Sequence, residues 1–247
     1  MMEWHILIPI LLIFLVGGIF KGIMGFGLPI IVMSILPFFV PVETAIVISA
    51  FVQPATNINQ LVTAGGYRNA FNLAWPVILF LIPGVWVGSW FITSLDSNAI
   101  LLIVGVTIIG FALIELLGFR LVITDAMRKP FGFAIGFVAG LAGALTSLNG
   151  WAFILYLMGL GADRQNFRSA IALLFLLSGT FISAGFWAVG WLTQEIFLYG
   201  LAAILPAFFG MWVGDKLGQK IPADQFRIYV LIALLFIGGS IVYSSFG

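Results

Sequence analysis

Eight stretches of this sequence are too long and too apolar to line a water-soluble core, and they fix the class of fold before any motif is read. Six of them, 44–63, 71–94, 98–118, 169–191, 195–215 and 226–245, supply the roughly 20 residues a helix needs to cross a hydrocarbon layer about 30 Å thick. Hydrophobic residues make up 62% of the chain and Asp, Glu, Lys and Arg only 8%, whereas a typical soluble domain carries about 25% charge. So few charges cannot coat a globule of 247 residues. The class expected is an all-α integral membrane protein. A net charge of +1 gives a nucleic-acid partner no electrostatic basis. The absence of Cys and the single His5 exclude thiol redox chemistry, iron–sulfur clusters and Cys/His metal sites. No metal and no other cofactor is expected.

The other two stretches, 5–40 and 131–161, are 36 and 31 residues long, and each is interrupted midway. The first interruption is Lys21-Gly22-Ile23-Met24-Gly25-Phe26-Gly27-Leu28-Pro29, the second Thr146-Ser147-Leu148-Asn149-Gly150. Halves of about 15 residues would be only ~22 Å long as helices. Glycine weakens a helix interior and proline removes a backbone donor. Each stretch therefore reads as a broken helix pair or a re-entrant hairpin.

The distribution of Lys and Arg tests that reading. Outside the interrupted stretches they fall in four groups: Arg68; Arg120, Arg128 and Lys129; Arg164 and Arg168; Lys216, Lys220 and Arg227. If 131–161 crosses once, four charges face one side and five the other; if it enters and returns, all nine share one side. The alternate connections, around Glu43, Asp96 and Glu195, then carry acids and no Lys or Arg. The paired reading puts the nine charges in the cytoplasm and both termini outside. Met1 to His5 has no basic signal-peptide region and no cleavage pattern follows, so the first segment is expected to be retained.

The chain also matches itself at a shift of 125–126 residues. Gly84-Val85-Trp86-Val87-Gly88 falls on Gly210-Met211-Trp212-Val213-Gly214, and Leu95 to Asn98 on Ile221 to Asp224. Upstream, Gly18 meets Gly143, Gly25-Phe26 meets Gly150-Trp151 and Ala45-Ile46 meets Ala170-Ile171. The unit is a hairpin plus three transmembrane helices, repeated over 1–122 and 123–247. That makes about ten membrane segments, or eight if each interrupted stretch counts once. Five passes is an odd number, so consecutive units must be inverted, as in transporters that bind substrate where broken helices meet. The paired glycines 84/88 and 210/214 read first as close helix packing.

Few polar side chains lie at depth. Lys21 is the only basic residue inside an apolar stretch. A charge there costs roughly 2.5–3.5 kcal/mol, so it faces a cavity or partner, or else snorkels to the interface; both readings stand at this point. Gln53, Thr56, Asn57 and Gln60 follow i, i+3, i+4, i+7 and share one helix face. They read either as a pathway lining whose amide N–H groups suit an oxyanion or as interhelical hydrogen bonding. Pro54 within the stripe is expected to bend the helix. In the second unit Ser178 answers Gln53, with Thr180 and Ser183 nearby, while Thr146, Ser147 and Asn149 offer donors opposite Lys21. The tips, including Gly25, Phe26, Gly27 and Gly150, would meet from opposite sides to form the site.

These features resemble the TauE/SafE family of sulfite-exporter-like permeases. The resemblance rests on the Gly-rich break from Gly17 to Pro29, its weaker echo after residue 136, the polar second helix followed by a Gly-rich third, and the duplication. It departs from the family's fuller glycine run at Phe26, Thr146, Ser147 and Leu148. The resemblance implies a secondary carrier of a small anion, such as sulfite, an organosulfonate or a related sulfur oxyanion. It would work by alternating access in the inner cell membrane. A passive anion channel and a carrier of a small carboxylate are the alternatives, and a homo-oligomer is compatible with either. An enzyme is not expected: the chain has no Cys, no His beyond His5, and no H-E-x-x-H or G-x-S-x-G motif. The expected partners are the small anion and the lipid bilayer.

Overall fold

A computed structural model describes residues 3–119, 121–218 and 223–246, with backbone alone over 223–227. Arg120, Lys220 and the Arg227 side chain lie outside the described residues, as do Ile221 and Pro222 of the duplication match. Ten α-helices and two short 3-10 turns make up the described fold, with no strand among the described residues. They are α1 Trp4–Met24, α2 Leu28–Ile35, α3 Val42–Ala64, α4 Tyr67–Phe91, α5 Ser97–Leu116, α6 Asp125–Thr146, α7 Gly150–Gly159, α8 Arg164–Ala188, α9 Gln194–Gly218 and α10 Ala223–Ser244. Six of them, α1, α4, α5, α6, α8 and α9, are long and apolar enough to cross a membrane by length and composition. The expected span 44–63 falls on α3, which its polar residues leave outside that set, and 226–245 contributes the shorter apolar helix Ile228–Ser244 among the described residues. Side chains such as Trp86, Trp90, Leu205, Phe209 and Phe236 stand exposed around the bundle, as a lipid-facing surface requires. The all-α membrane class holds.

Both interrupted stretches break inside the expected interruptions, at Gly25–Gly27 and Ser147–Asn149, but into helices of unequal length. The first limbs are 21 and 22 residues long and the returning limbs only 8 and 10. Gly17 and Gly18 do not end α1. A helix ends where a residue enters the left-handed region, which happens at Gly25 (φ 82°) in the first stretch and Ser147 (φ 59°) in the second. Cap set against cap gives a different pairing from the gapless self-match. Gly25-Phe26-Gly27 stands where Ser147-Leu148-Asn149 stands, three residues away from the gapless pairing with Gly150-Trp151.

Hydrogen bonds between connections sort the two ends of the bundle. At one end Ser169 Oγ donates to the Gly65 carbonyl (2.6 Å), Arg128 donates to the Asn72 carbonyl, and the Ile123 N–H donates to the Gly159 carbonyl (2.8 Å). At the other, the Glu3 N–H donates to the Tyr199 hydroxyl (3.1 Å) and Ser97 donates to Glu43. The stretch 131–161 thus enters and returns at one end, beside Arg128 and Arg164. The α1–α2 hairpin enters and returns at the end of Glu3 and Glu43. The two hairpins open at opposite ends of the bundle. Asp96 and Asp163 start α5 and α8 by accepting backbone N–H bonds. Those bonds, the Asn166 N–H first among them, hold the Asp163 carboxyl below the usual carboxylate range.

The helix pairings survive exchange of the first five helices for the last five. α1 packs on α9 as α6 packs on α4, while α3 packs on α8 and α5 on α10. The first two pairs are glycine seams, as the paired glycines suggested. A Cβ on Gly210 or Gly214 would sit 2.2 or 2.1 Å from a carbonyl oxygen of α1, and one on Gly84 2.2 Å from the Phe137 carbonyl. Backbone cannot yield as a side chain can, so Gly214→Ala is expected to cost about 3 kcal/mol, the upper range for overpacking. A markedly lower midpoint of thermal unfolding in detergent checks this; an unchanged midpoint would mean that α1 and α9 are not seated this closely.

Candidate functional site

The first tip is built by backbone geometry. Gly25 closes α1 with its N–H on the Lys21 carbonyl (2.7 Å), and Gly27, also left-handed at φ 95°, opens α2 ahead of Pro29. A non-glycine residue at either position would be strained, by roughly 1–2 kcal/mol. Gly27 has a second reason, since a Cβ there would meet the Phe20 ring at 2.4 Å. Lys21 lies in the last turn of α1, where unpaired carbonyls favour a cation. Its ammonium does not snorkel. The side chain is 4% exposed and donates to Asn57 Oδ1 (2.8 Å) and Thr56 Oγ1 (3.1 Å). Among the described residues Lys21 makes no ion pair, so a buried cation is held by two neutral acceptors.

Gln53, Thr56, Asn57 and Gln60 are all buried on one face of α3, as their spacing required. Three of them serve the first tip: Thr56 and Asn57 hold Lys21, and Gln60 Nε2 donates to the Gly25 carbonyl (2.8 Å). The fourth serves the second tip, with Gln53 Nε2 donating to Ser147 Oγ (3.0 Å). Ser147 in turn donates to Ser49 Oγ (3.1 Å). One helix face therefore touches both tips about one turn apart, roughly 4.5 Å along the axis from Gln53 to Thr56. Ser49 was missed by the sequence reading. Its signal was its place one turn before Gln53 on the same face.

In the second tip Thr146 bonds locally, donating to the Ala142 carbonyl and accepting the Leu148 N–H. Ser147 is the one described non-glycine residue at positive φ. Asn149 begins α7 and donates to Ser178 on α8, joining two residues that the sequence had singled out separately. Thr180 bonds its own helix at the Leu176 carbonyl. Gly150 faces α8 closely, since a Cβ there would meet the Phe175 ring at 2.8 Å. Close packing also marks the α3–α8 crossing, where a Cβ on Gly179 would lie 2.8 Å from the Pro54 ring.

Two cavities flank the first tip. One, of only about 20 Å³, lies where the tips meet and is lined by Phe26, Gly27, Ser147 and Trp151, with Thr107 of α5 and Phe175 of α8; Leu148 and Gly150 complete the second tip's share. Its walls are mainly apolar. Thr107, Trp151 and Phe175 carried no sequence signal of their own. The other cavity, about 680 Å³, reaches Gly25 from the end of the bundle that holds Arg164. Lys21, Gln53, Thr56, Asn57, Gln60, Asn149 and Ser178 line neither cavity. They form the hydrogen-bonded layer behind the tips.

That layer is not saturated. Gln53 Oε1, Asn149 Oδ1 and the Trp151 indole N–H have no partner, although each is buried. Because a serine hydroxyl both donates and accepts, turning either amide leaves an N–H unpaired in place of the oxygen. Buried orphans of this kind cost about 1–3 kcal/mol each; of the three, only Trp151 lines the tip cavity, where an oxygen acceptor would relieve its N–H. An unpartnered indole N–H and apolar walls at the tips, with a lysine one layer behind, are compatible with a small anion. No group of three or more His, Cys, Asp or Glu that could hold a metal occurs among the described residues.

Comparison with known proteins places this architecture. The family model described as Sulfite exporter TauE/SafE matches residues 10–241, nearly the whole chain. No curated protein and no solved structure matches.

Proposed function

The chain belongs to the Sulfite exporter TauE/SafE family and is a membrane transporter of that type, and on this premise we propose that it is a secondary carrier of a sulfur oxyanion, sulfite or an organosulfonate, working by alternating access around the two tips. The observation that carries the reading is the convergence of both tips on one face of α3 beside the buried Lys21. The cation supplies attraction, and the amides orient oxygens without adding a second charge that would trap the anion. The apolar walls beside the tips suit the carbon body of an organosulfonate better than a bare inorganic ion. Residues 1–122 and 123–247 act as inverted repeats, so that exchanging their conformations exchanges the open side. The protein lies in the inner membrane, with the Arg164 end of the bundle in the cytoplasm. No catalytic step is assigned to it.

The test is counterflow in proteoliposomes. Vesicles loaded with unlabelled sulfite or methanesulfonate should accumulate the labelled anion transiently and saturably. Ohmic current without counterflow would make the protein a channel, and counterflow of acetate alone would make it a carboxylate carrier.

A further inference from the structure

The larger cavity is bounded by the ends of α1, α3 and α9 and by the first turns of α8. Arg164 and Arg168 lie one turn apart on α8 and both line it, with Asp215 of α9 also on its wall and Gly25 at the first tip. Most other described basic side chains at this end are occupied. Arg128 donates to the Asn72 carbonyl, Lys129 stands over the Trp75 ring at 5.9 Å and Lys216 over Trp212 at 3.5 Å. Arg164 and Arg168 are exposed and line the cavity, together with the polar Asn59 and Thr63 of α3. The one acid lining it is Asp215, on the same wall as Arg168.

We propose that Arg164 and Arg168 form a capture site for the anion, separate from the site between the tips, and that Asp215 competes with the anion for Arg168. The inference rests on the anion-carrier reading. Guanidinium forks match the paired oxygens of a sulfonate, sulfite or carboxylate, and like-signed charge in a cleft concentrates the opposite ion. A captured anion then stands on one side of Gly25-Phe26-Gly27, while the pocket of the tips lies on the other. The first tip is the partition that it must pass.

Two readouts separate this proposal from the carrier reading itself. The first is anion-dependent thermal stabilisation of the whole protein in detergent, with sulfite and methanesulfonate as probes. The second is the KM for methanesulfonate entering proteoliposomes from the Arg164 face. Arg164→Gln/Arg168→Gln is expected to raise that KM about tenfold, with maximal flux retained, and to weaken stabilisation by either probe in parallel. Asp215→Asn is expected to do the reverse, lowering KM about threefold, since it removes the competitor. Opposite signs from two changes in one cavity cannot come from a general loss of folding. Unchanged KM and unchanged stabilisation in the arginine variant, or a raised KM in Asp215→Asn, overturns the capture site. If wild-type protein moves no anion, the carrier reading falls, and stabilisation alone then decides the site: loss in the arginine variant upholds it and equality rejects it.

Discussion

Lys21→Met is expected to lower sulfite flux about 100-fold while leaving the bundle as stable as before or more so. The size follows from the placement of the charge. Moving a cation to membrane depth costs roughly 2.5–3.5 kcal/mol, and two neutral acceptors at 2.8 and 3.1 Å offset only part of it. An anion bound beside the ammonium recovers the remainder, and removing a term of that size from the loaded carrier changes a rate by about two orders of magnitude. Methionine keeps the stem that packs against α3 and deletes the charge. Thr56 retains its bonds to the Val52 and Gln53 carbonyls, and Asn57 Nδ2 its bond to the Gln53 carbonyl. The structural loss is therefore one orphaned acceptor, Asn57 Oδ1, set against relief from a buried charge. Initial rates in proteoliposomes and the unfolding midpoint of the same preparation separate the two effects. Wild-type flux in Lys21→Met would remove Lys21 from the site.

The membrane class, the two breaks and the polar face of α3 were legible because each is a one-dimensional property. Hydropathy is summed along the chain, a turn needs its own glycine, and an i, i+3, i+4, i+7 stripe shares a face whatever lies opposite. That Arg68, Arg128, Lys129, Arg164, Arg168 and Lys216 share one end of the bundle among the described residues was legible for a similar reason, since it required only that each stretch cross or return. What the stripe would touch was not legible. Gln53 and Thr56 are three residues apart, yet Gln53 bonds the second tip and Thr56 the first. That division depends on where α6 ends, and α6 ends at Ser147 through a left-handed serine that no propensity favours.

The length of the first limb was less legible, for a related reason. Gly17 and Gly18 belong to the Gly-rich run, yet the structure keeps them helical and uses Gly18 for contact: a Cβ on it would lie 2.3 Å from the Ala207 carbonyl. Sequence gives the residue but not which of its two uses applies, because the contact partner lies nearly 190 positions away. Gapless self-comparison drifted by three residues at the tips for the same cause. It paired glycine with glycine, whereas the fold pairs left-handed caps, Gly25 with Ser147. The apolar side chains that close the tip pocket, Phe175 and Trp151 among them, look like any lipid-facing residue until the helices are assembled.

Since one face of α3 holds both tips, its link to the second tip should matter to transport out of proportion to its single hydrogen bond. Gln53→Leu is expected to reduce flux about tenfold, the rate equivalent of a buried hydrogen bond worth about 1–1.5 kcal/mol. Leucine fills similar space, and its apolar end leaves Ser147 with Ser49 as a partner, so the fold survives the change. Ser147→Gly deletes the same bond from the other side and relieves the positive φ of 59°, which makes it the more stable of the two variants. If Gln53 acts on transport through Ser147, the double variant Gln53→Leu/Ser147→Gly loses no more flux than Gln53→Leu alone. The coupling energy read from that cycle then equals in size the loss from Ser147→Gly alone. Additive losses would mean that Gln53 and Ser147 act on the anion separately, and that α3 does not tie the movement of one tip to the other.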